Sequence, residues 1–417
     1  MTKADRILIL GAGQAAVACA AALRRGGFAG EITLAGDEPH APYQRPPLSK
    51  AALRDGFLPE SLALRSADWY AAQNITLRTR LRALSIDRAA RKVRFTDGTS
   101  LTWDRLVLAT GSQARPLPAE AGGDLAGVLS LRSLADAERL RAALARAEDL
   151  VIIGGGYIGL EIAAVARSME KRVTLLERDG RILSRVAAPE TSAWVQALHE
   201  SHGLHILTRV AGFTPEAEAG RIRGLHLPWG ERLVADLVIA GIGSLVETGL
   251  ATQAGLQTGG GAVLCDAQGR TSDPDIFAIG DCAAFDLGGP APLRLESVGH
   301  AIDSAELVAR NLLGAEEIYR PQPWFWSDQY DCRLQIAGLS QPGDEVVTRE
   351  SPSEGRSHWY VREGRLVAVD ALHAPQAFAI GRRLLALGHT PDRLSLNDPG
   401  TALRSLLPSA PGRASAA

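Results

Sequence analysis

The sequence predicts an α/β fold: two domains built from βαβ units, the second inserted into the first, and a smaller α+β domain at the C-terminal end. Three observations predict it. Residues 150–177, LVIIGGGYIGLEIAAVARSMEKRVTLLE, read as strand, glycine turn, helix, strand and terminal acid. Residues 7–38 repeat that order, with Gly11, Gly13 and Ala16 at the turn. Apolar stretches at 106–109 and 233–240 each run into glycines, Gly111 in one case and Gly241 and Gly243 in the other, so the second domain mirrors the first.

The turns carry chemistry. Gly154 allows a sharp turn, Gly156 lets the backbone approach a pyrophosphate, and Gly159 lets the helix lie tight on the sheet. The helix N-terminus offers free N–H groups to phosphate oxygens, and Glu177 can take the hydroxyls of an adenosine ribose. A membrane span is the competing reading of 150–166, but three consecutive glycines and Glu161 interrupt it. The first unit ends in Ala16, where the pattern accepts alanine, and its acid is either Asp37 or Glu38. Two Rossmann-like dinucleotide sites in one chain suggest electron passage from one bound dinucleotide to another.

Composition bounds the class. At 417 residues the chain exceeds one hydrophobic core, so two or three domains are expected. A net charge of -2 excludes a strongly basic nucleic-acid binder. The opening MTKADR has no apolar run behind a basic start, so neither a targeting signal nor a membrane partner is expected, and the expected location is cytoplasmic. Cys19, Cys265, Cys282 and Cys332 form no CxxC pair, which argues against a disulfide framework, a zinc site or a local redox disulfide.

In chain order, the prolines of HAPYQRPPLSK at 40–50 forbid a regular element up to Pro47. Arg45 and Lys50 are cations on that stiff frame, and a helix starting at Leu48 would carry Lys50 in its first turn. A helix at 68–75 and strands at 75–81 and 93–95 follow, with a hairpin turn at Asp97-Gly98. Arg78, Arg80 and Arg82 would alternate along the 75–81 strand, as a basic patch or as a solvated face. The strand ending at Ala109 meets Thr110 and Gly111. A helix at 136–147 precedes the central strand of the second domain. The strand at 276–279 meets Gly280 and Asp281, an acid placed for a ribityl hydroxyl. A long helix is expected at 295–313, with Glu296 in its first turn. Segments 333–337, 345–348, 358–362 and 365–371 suggest a small antiparallel sheet with a turn at Gly364. The aromatics at 324–326 are expected in a core or interface, 378–387 as a helix, and the tail after Pro408 as disordered. The expected boundaries are 1–116 with 243–320, 117–242 and 321–417.

PYQRPPLSK at 42–50, LATGS at 108–112, GGGYIGLE at 154–161, DIFAIGDCA at 275–283 and WFWSDQ at 324–329 together identify a resemblance. Over nearly its whole length the chain resembles the FAD-dependent, NADH-using ferredoxin reductases of bacterial cytochrome P450 and ring-hydroxylating dioxygenase systems, which have a glutathione-reductase-type fold. The resemblance implies that FAD is held by Gly11, Gly13, Ala15, Ala16, Asp37 or Glu38, Arg45, Lys50, Thr110, Gly111, Asp281 and Val298. It implies that NADH is held by Gly154, Gly156, Tyr157, Ile158, Gly159 and Glu177, with Gly243 a further cofactor contact. Glu177 repels a 2'-phosphate, which favours NADH over NADPH.

Lys50 would sit near the flavin N5 edge paired with Glu161, and Trp326 near the flavin and the nicotinamide. Electrons would pass from NADH through FAD to a [2Fe–2S] ferredoxin that supplies the oxygenase. An apoptosis-inducing-factor-like flavoprotein with slow turnover and a rubredoxin reductase are the alternatives. A disulfide reductase would need a cysteine pair or a reactive cysteine on the helix after the proline loop, and an NADH oxidase or peroxidase a single cysteine near residues 40–50; neither stretch has one. Two segments depart from the family pattern. Residues 244–250 read SLVETGL where a Pro-Asn pair is usual. The VGHAIDSAE run has His300 in an asparagine place and Ser304 in a glutamine place.

Overall fold

A computed structural model describes residues 5–351 and 353–408, so the expectations for the first residues of MTKADR and for the tail after Pro408 lie outside the described residues. The chain forms two compact units, one of Met1–Arg115, Arg132–Glu138 and Gly243–Pro321, the other of Pro116–Leu131, Arg139–Ile242 and Gln322–Ala417.

In the first unit the apolar strand Arg6–Leu10 is central in a parallel sheet of five. It pairs with Glu31–Ala35 on one side and Arg105–Leu108 on the other, and Ile276–Ala278 and Ile75–Arg78 complete the sheet. The order reverses at the central strand, which opens a crevice at the carboxyl edge. Helix Gln14–Arg25 buries Ala15, Ala16, Val17, Cys19, Ala20 and Leu23; its small residues let it lie close beside helix Val298–Leu312 and on the sheet.

The second unit repeats the plan. Asp149–Ile153 lies between Arg172–Leu176 and Leu237–Ala240, with His205–Leu207 and Val128–Leu129 at the edges. The unit also carries an antiparallel sheet ordered Trp324–Gln329, Cys332–Gly338, Arg365–Leu372, Gly355–Arg362 and Glu345–Ser351. Helix Pro375–Leu387 covers it, burying Ala377, Ile380 and Leu384 against Trp359 and Val369. Glu363 and Gly364, both at positive φ, make its Arg362–Arg365 hairpin turn.

Several expectations change. The aromatic segment is itself a strand, Trp324–Gln329; its three consecutive half-buried aromatics hide the two-residue period that would have marked it. The long helix begins at Val298 because Ser297 caps it, accepting a hydrogen bond from His300 N at 3.1 Å, so Glu296 precedes the helix and binds Arg294 and Ser244. The strand from Ile75 ends at Arg78 and Arg80 turns to φ +57, so Arg78, Arg80 and Arg82 share no strand face. A 3-10 turn spans Pro46–Ser49, and Lys50 stands at its junction with helix Ala51–Asp55, not inside a helix from Leu48. The 233–240 run divides into Arg232–Val234 and Leu237–Ala240. No helix among the described residues is long and apolar enough to cross a membrane.

Candidate functional site

In the first unit the strand Arg6–Leu10 delivers Gly11 at φ +120, with its N–H donated to Ala35 O at 2.8 Å. A β-carbon there would overlap the Ala109 carbonyl. Gly13 differs. It caps helix Gln14–Arg25 at φ −106, a value open to any residue, and a β-carbon there would meet nothing within 4 Å. Neither backbone nor neighbours require glycine at that position, so the open space is what a pyrophosphate at the helix N-terminus needs. Ala15 backs onto Gly280, which sets Asp281 beside the same turn.

A polar network extends from that turn. Asp281 Oδ2 accepts from Ser112 Oγ at 2.9 Å and from Arg132 Nη2 at 2.8 Å. Arg132 Nε donates to Ser112 O, and its own carbonyl accepts from Arg45 Nη1 at 2.8 Å. Arg45 Nη2 donates to Glu38 Oε1 and Tyr43 OH to Glu38 Oε2, each at 2.6 Å, while Leu134 N donates to the Tyr43 oxygen. Burial pushes the Tyr43 phenol far up, so it stays a donor. Both Glu38 oxygens are thus engaged, and Asp37 is exposed. Lys50 Nζ donates to Pro46 O at 3.3 Å. Thr110 and Gly111 follow the strand Arg105–Leu108, and Val298 opens its helix at the Ser297 cap. Gly243 lies at φ +102 with nothing near its β-carbon position. Ser112, Tyr43 and Arg132 were not singled out from sequence. Ser112 closes the quoted LATGS motif, but nothing local marks Arg132.

The departures from the family pattern have local partners. His300 is buried, shares a hydrogen with Tyr319 OH across 2.7 Å and packs edge-on against Phe285. Ser304 donates to His300 O and accepts from Gly280 N at 3.1 Å, which ties the helix to the Asp281 turn.

The second unit has the same pair of glycines. Gly154 stands at φ +105, where a β-carbon would strike Gly241 O, and Gly156 caps helix Tyr157–Ser168 over open space. A β-carbon on Gly159 would strike Gly154 O, so the helix and turn touch there. Glu177 closes the turn: its Oε2 accepts from Gly155 N at 2.7 Å and its Oε1 from Asp179 N at 2.8 Å. Ile158 is exposed beside the turn. Tyr157 packs on Phe325 at 4.4 Å, and Trp326 stacks on Trp324 at 5.5 Å. Glu161, on the buried face of that helix, accepts from Ser327 Oγ at 2.6 Å. The four cysteines are buried thiols, with Cys19 and Cys332 each pushed up by burial to about 12, so they supply no thiolate for disulfide chemistry.

The chemistry of both cradles fits a dinucleotide, with open glycine, helix N-terminus and a following acid in each. Comparison with known proteins agrees. The family described as pyridine nucleotide-disulphide oxidoreductase matches residues 5–305, and the reductase C-terminal family matches 324–407. The chain is 42% identical over 382 residues to rhodocoxin reductase of Rhodococcus erythropolis, covering 91% of this chain and 89% of that one. It is 40% identical over 428 residues to putidaredoxin reductase CamA of Pseudomonas putida, covering 100% of both. The solved ferredoxin reductase for the CYP199A2 system from Rhodopseudomonas palustris superposes with a TM-score of 0.93 at 38% identity, covering 96% of this chain and 99% of the other. The chain therefore belongs to the pyridine nucleotide-disulphide oxidoreductase family, among the FAD-dependent NADH:ferredoxin reductases related to putidaredoxin reductase.

Proposed function

We propose that this protein passes electrons from NADH through FAD to a [2Fe–2S] ferredoxin that supplies a cytochrome P450 or another oxygenase. The carrying observation is the pair of open glycine cradles, at Gly13 and Gly156, in one chain. The chemistry FAD supplies, when bound, is acceptance of a hydride from NADH and release of single electrons. The chain's residues supply position and electrostatics.

Gly11, Gly13, Ala15 and Ala16 form the turn and helix start that take the FAD pyrophosphate. Asp37, exposed just past the strand Glu31–Ala35, is the acid for its ribose. Asp281, held by Ser112 and Arg132, would take a ribityl hydroxyl; Thr110, Gly111 and Val298 would contact the same cofactor. Gly154, Gly156, Tyr157, Ile158 and Gly159 take NADH, and Glu177 reads the adenosine ribose and repels a 2'-phosphate. Gly243 borders a cofactor. Trp326 contributes an aromatic face to the redox centre. The proposed boundaries are 1–116 with 243–320 for FAD, 117–242 for NADH and 321–417 for the C-terminal domain. A cytoplasmic location is proposed with them; buried free thiols suit a reducing compartment.

Lys50 and Glu161 are proposed to serve the same step, the cation favouring the electron-rich reduced ring and the acid tempering it. Lys50→Met should retain FAD yet slow its reduction by NADH about 100- to 1000-fold, the scale of losing one charge-stabilising group. If both groups act on one step, K50M/E161Q will be no slower than the slower single variant. Anaerobic mixing with NADH checks both; wild-type reduction rates in K50M would remove Lys50 from the mechanism.

A further inference from the structure

The polar half of the WFWSDQ segment has a geometry of its own. Ser327 and Gln329 point to the buried side of the strand Trp324–Gln329, at 0% and 2% exposure. Helix Tyr157–Ser168 brings Glu161 and helix Pro189–Ser201 brings His199 to that side, both buried. Four contacts join them. Ser327 Oγ lies 2.6 Å from Glu161 Oε1, and Gln329 Nε2 lies 3.0 Å from Ser327 Oγ. Gln329 Oε1 lies 2.7 Å from His199 Nε2, and His199 Nδ1 lies 3.3 Å from Tyr330 OH. Tyr330 is half-buried and stacks on the exposed His202 ring at 3.7 Å.

Chemistry sets the direction of every link. A Glu161 carboxylate only accepts, so the Ser327 hydroxyl donates to it. Having one proton, that hydroxyl must accept from the Gln329 amide, which fixes the orientation of the carboxamide. Its oxygen then faces His199 and only accepts, so His199 carries its proton on Nε2. Burial keeps His199 neutral down to about pH 4, which leaves a lone pair on Nδ1 for the Tyr330 hydroxyl. All four donors therefore point the same way, toward the carboxylate. A carboxamide cannot pass a proton on without changing tautomer, so the chain holds and polarises; it does not conduct.

We propose that Ser327, Gln329 and His199 are positioning residues that fix the Glu161 carboxylate as the end of a one-directional hydrogen-bond chain reaching Tyr330 near the surface. Hydrogen bonds in series reinforce one another in a buried setting, so the far link is felt at the acid. The proposal rests on the reading of Glu161 as a partner of Lys50 in flavin reduction.

The test uses the full-length, FAD-loaded protein and three readouts: the limiting rate of flavin reduction against NADH half-saturation, the midpoint potential of bound FAD, and the 15N spectrum of labelled histidines. Ser327→Ala and Gln329→Leu are expected to lower the limiting rate about fivefold, the scale of one lost hydrogen bond, to shift the potential in the direction E161Q shifts it, and to leave half-saturation unchanged. Ser327→Thr restores the hydroxyl and is expected to recover most of the loss. His199→Phe is expected to act in the same direction but less, and its missing signal assigns His199 in the spectrum. A wild-type His199 signal, once assigned, that shows the proton on Nδ1 would overturn the chain. So would S327A and Q329L that change melting temperature alone while E161Q changes rate and potential; the reading of Glu161 would then survive. An E161Q with unaltered rate and potential would overturn that reading, and the proposal with it.

Discussion

Gly11→Ala is expected to yield little folded protein, whereas Gly13→Val is expected to fold and lose FAD. The two positions lie in one turn but answer to different constraints. At Gly11 the chain is at φ +120, outside the L-residue regions, and the added methyl would overlap the Ala109 carbonyl. The backbone cannot move aside, because Gly11 N is bonded to Ala35 O and Ala109 N to Leu10 O. Strain at one such residue costs about 1–3 kcal/mol before the overlap is added, a large part of the stability of an ordinary domain. At Gly13 no atom beyond the neighbouring backbone lies within 4 Å of an added β-carbon, so the fold is expected to bear a side chain there. The isopropyl group then fills the space beside the helix N-terminus and should weaken FAD binding about 100-fold, equivalent to losing ~3 kcal/mol of contacts. Gly154→Ala and Gly156→Val should divide in the same way for the NADH cradle. Melting temperature, flavin content and, for the second pair, NADH affinity of the purified variants check the pattern. A folded, FAD-free G11A, or a G13V with full flavin, would contradict it.

Acid lability is the second large effect. His199, His300 and His358 are buried, and burial lowers each to about 4 from an ordinary value near 6.5. The folded state thus binds fewer protons than the unfolded chain between those values. Stability is complete above pH 6.5 and falls as pH drops to 4, by about 3 kcal/mol for each histidine. Asp370 works the other way. Burial raises it to about 6, although Tyr360 and Thr191 donate to its Oδ2, so its contribution is best in acid and declines as pH rises from 4 to 6. One carboxyl offsets about one histidine, which leaves a net loss in acid. The urea midpoint should fall steeply from pH 7 to pH 5, and a flat profile would contradict the buried neutral histidines.

The glycine turns were legible because each residue there meets a local demand: Gly11 and Gly154 turn at positive φ, and each central strand is apolar enough to be buried on both faces. Helix Tyr157–Ser168 was legible from its Ala-rich run and the acid at Glu161 inside it. What joins distant segments was not. Arg132 binds Asp281 and Arg45 from a stretch without a motif, and Tyr43 reads as part of a proline loop until its hydroxyl meets Glu38. His199 looks like an ordinary last-turn histidine, and only the fold brings Gln329 to it. The strand Trp324–Gln329 escaped because its aromatic half is uniformly half-buried, so alternation starts only at Ser327.

The most direct test of the electron-transfer account is anaerobic rapid mixing of the FAD-loaded protein with NADH and a [2Fe–2S] ferredoxin, following the flavin and iron–sulfur bands separately. The account predicts that the flavin bleaches first and that ferredoxin reduction follows at a rate able to sustain turnover. Flavin that bleaches and stays reduced with NAD bound, across a panel of [2Fe–2S] ferredoxins that all remain oxidised, would contradict it and point to the slow, redox-responsive alternative.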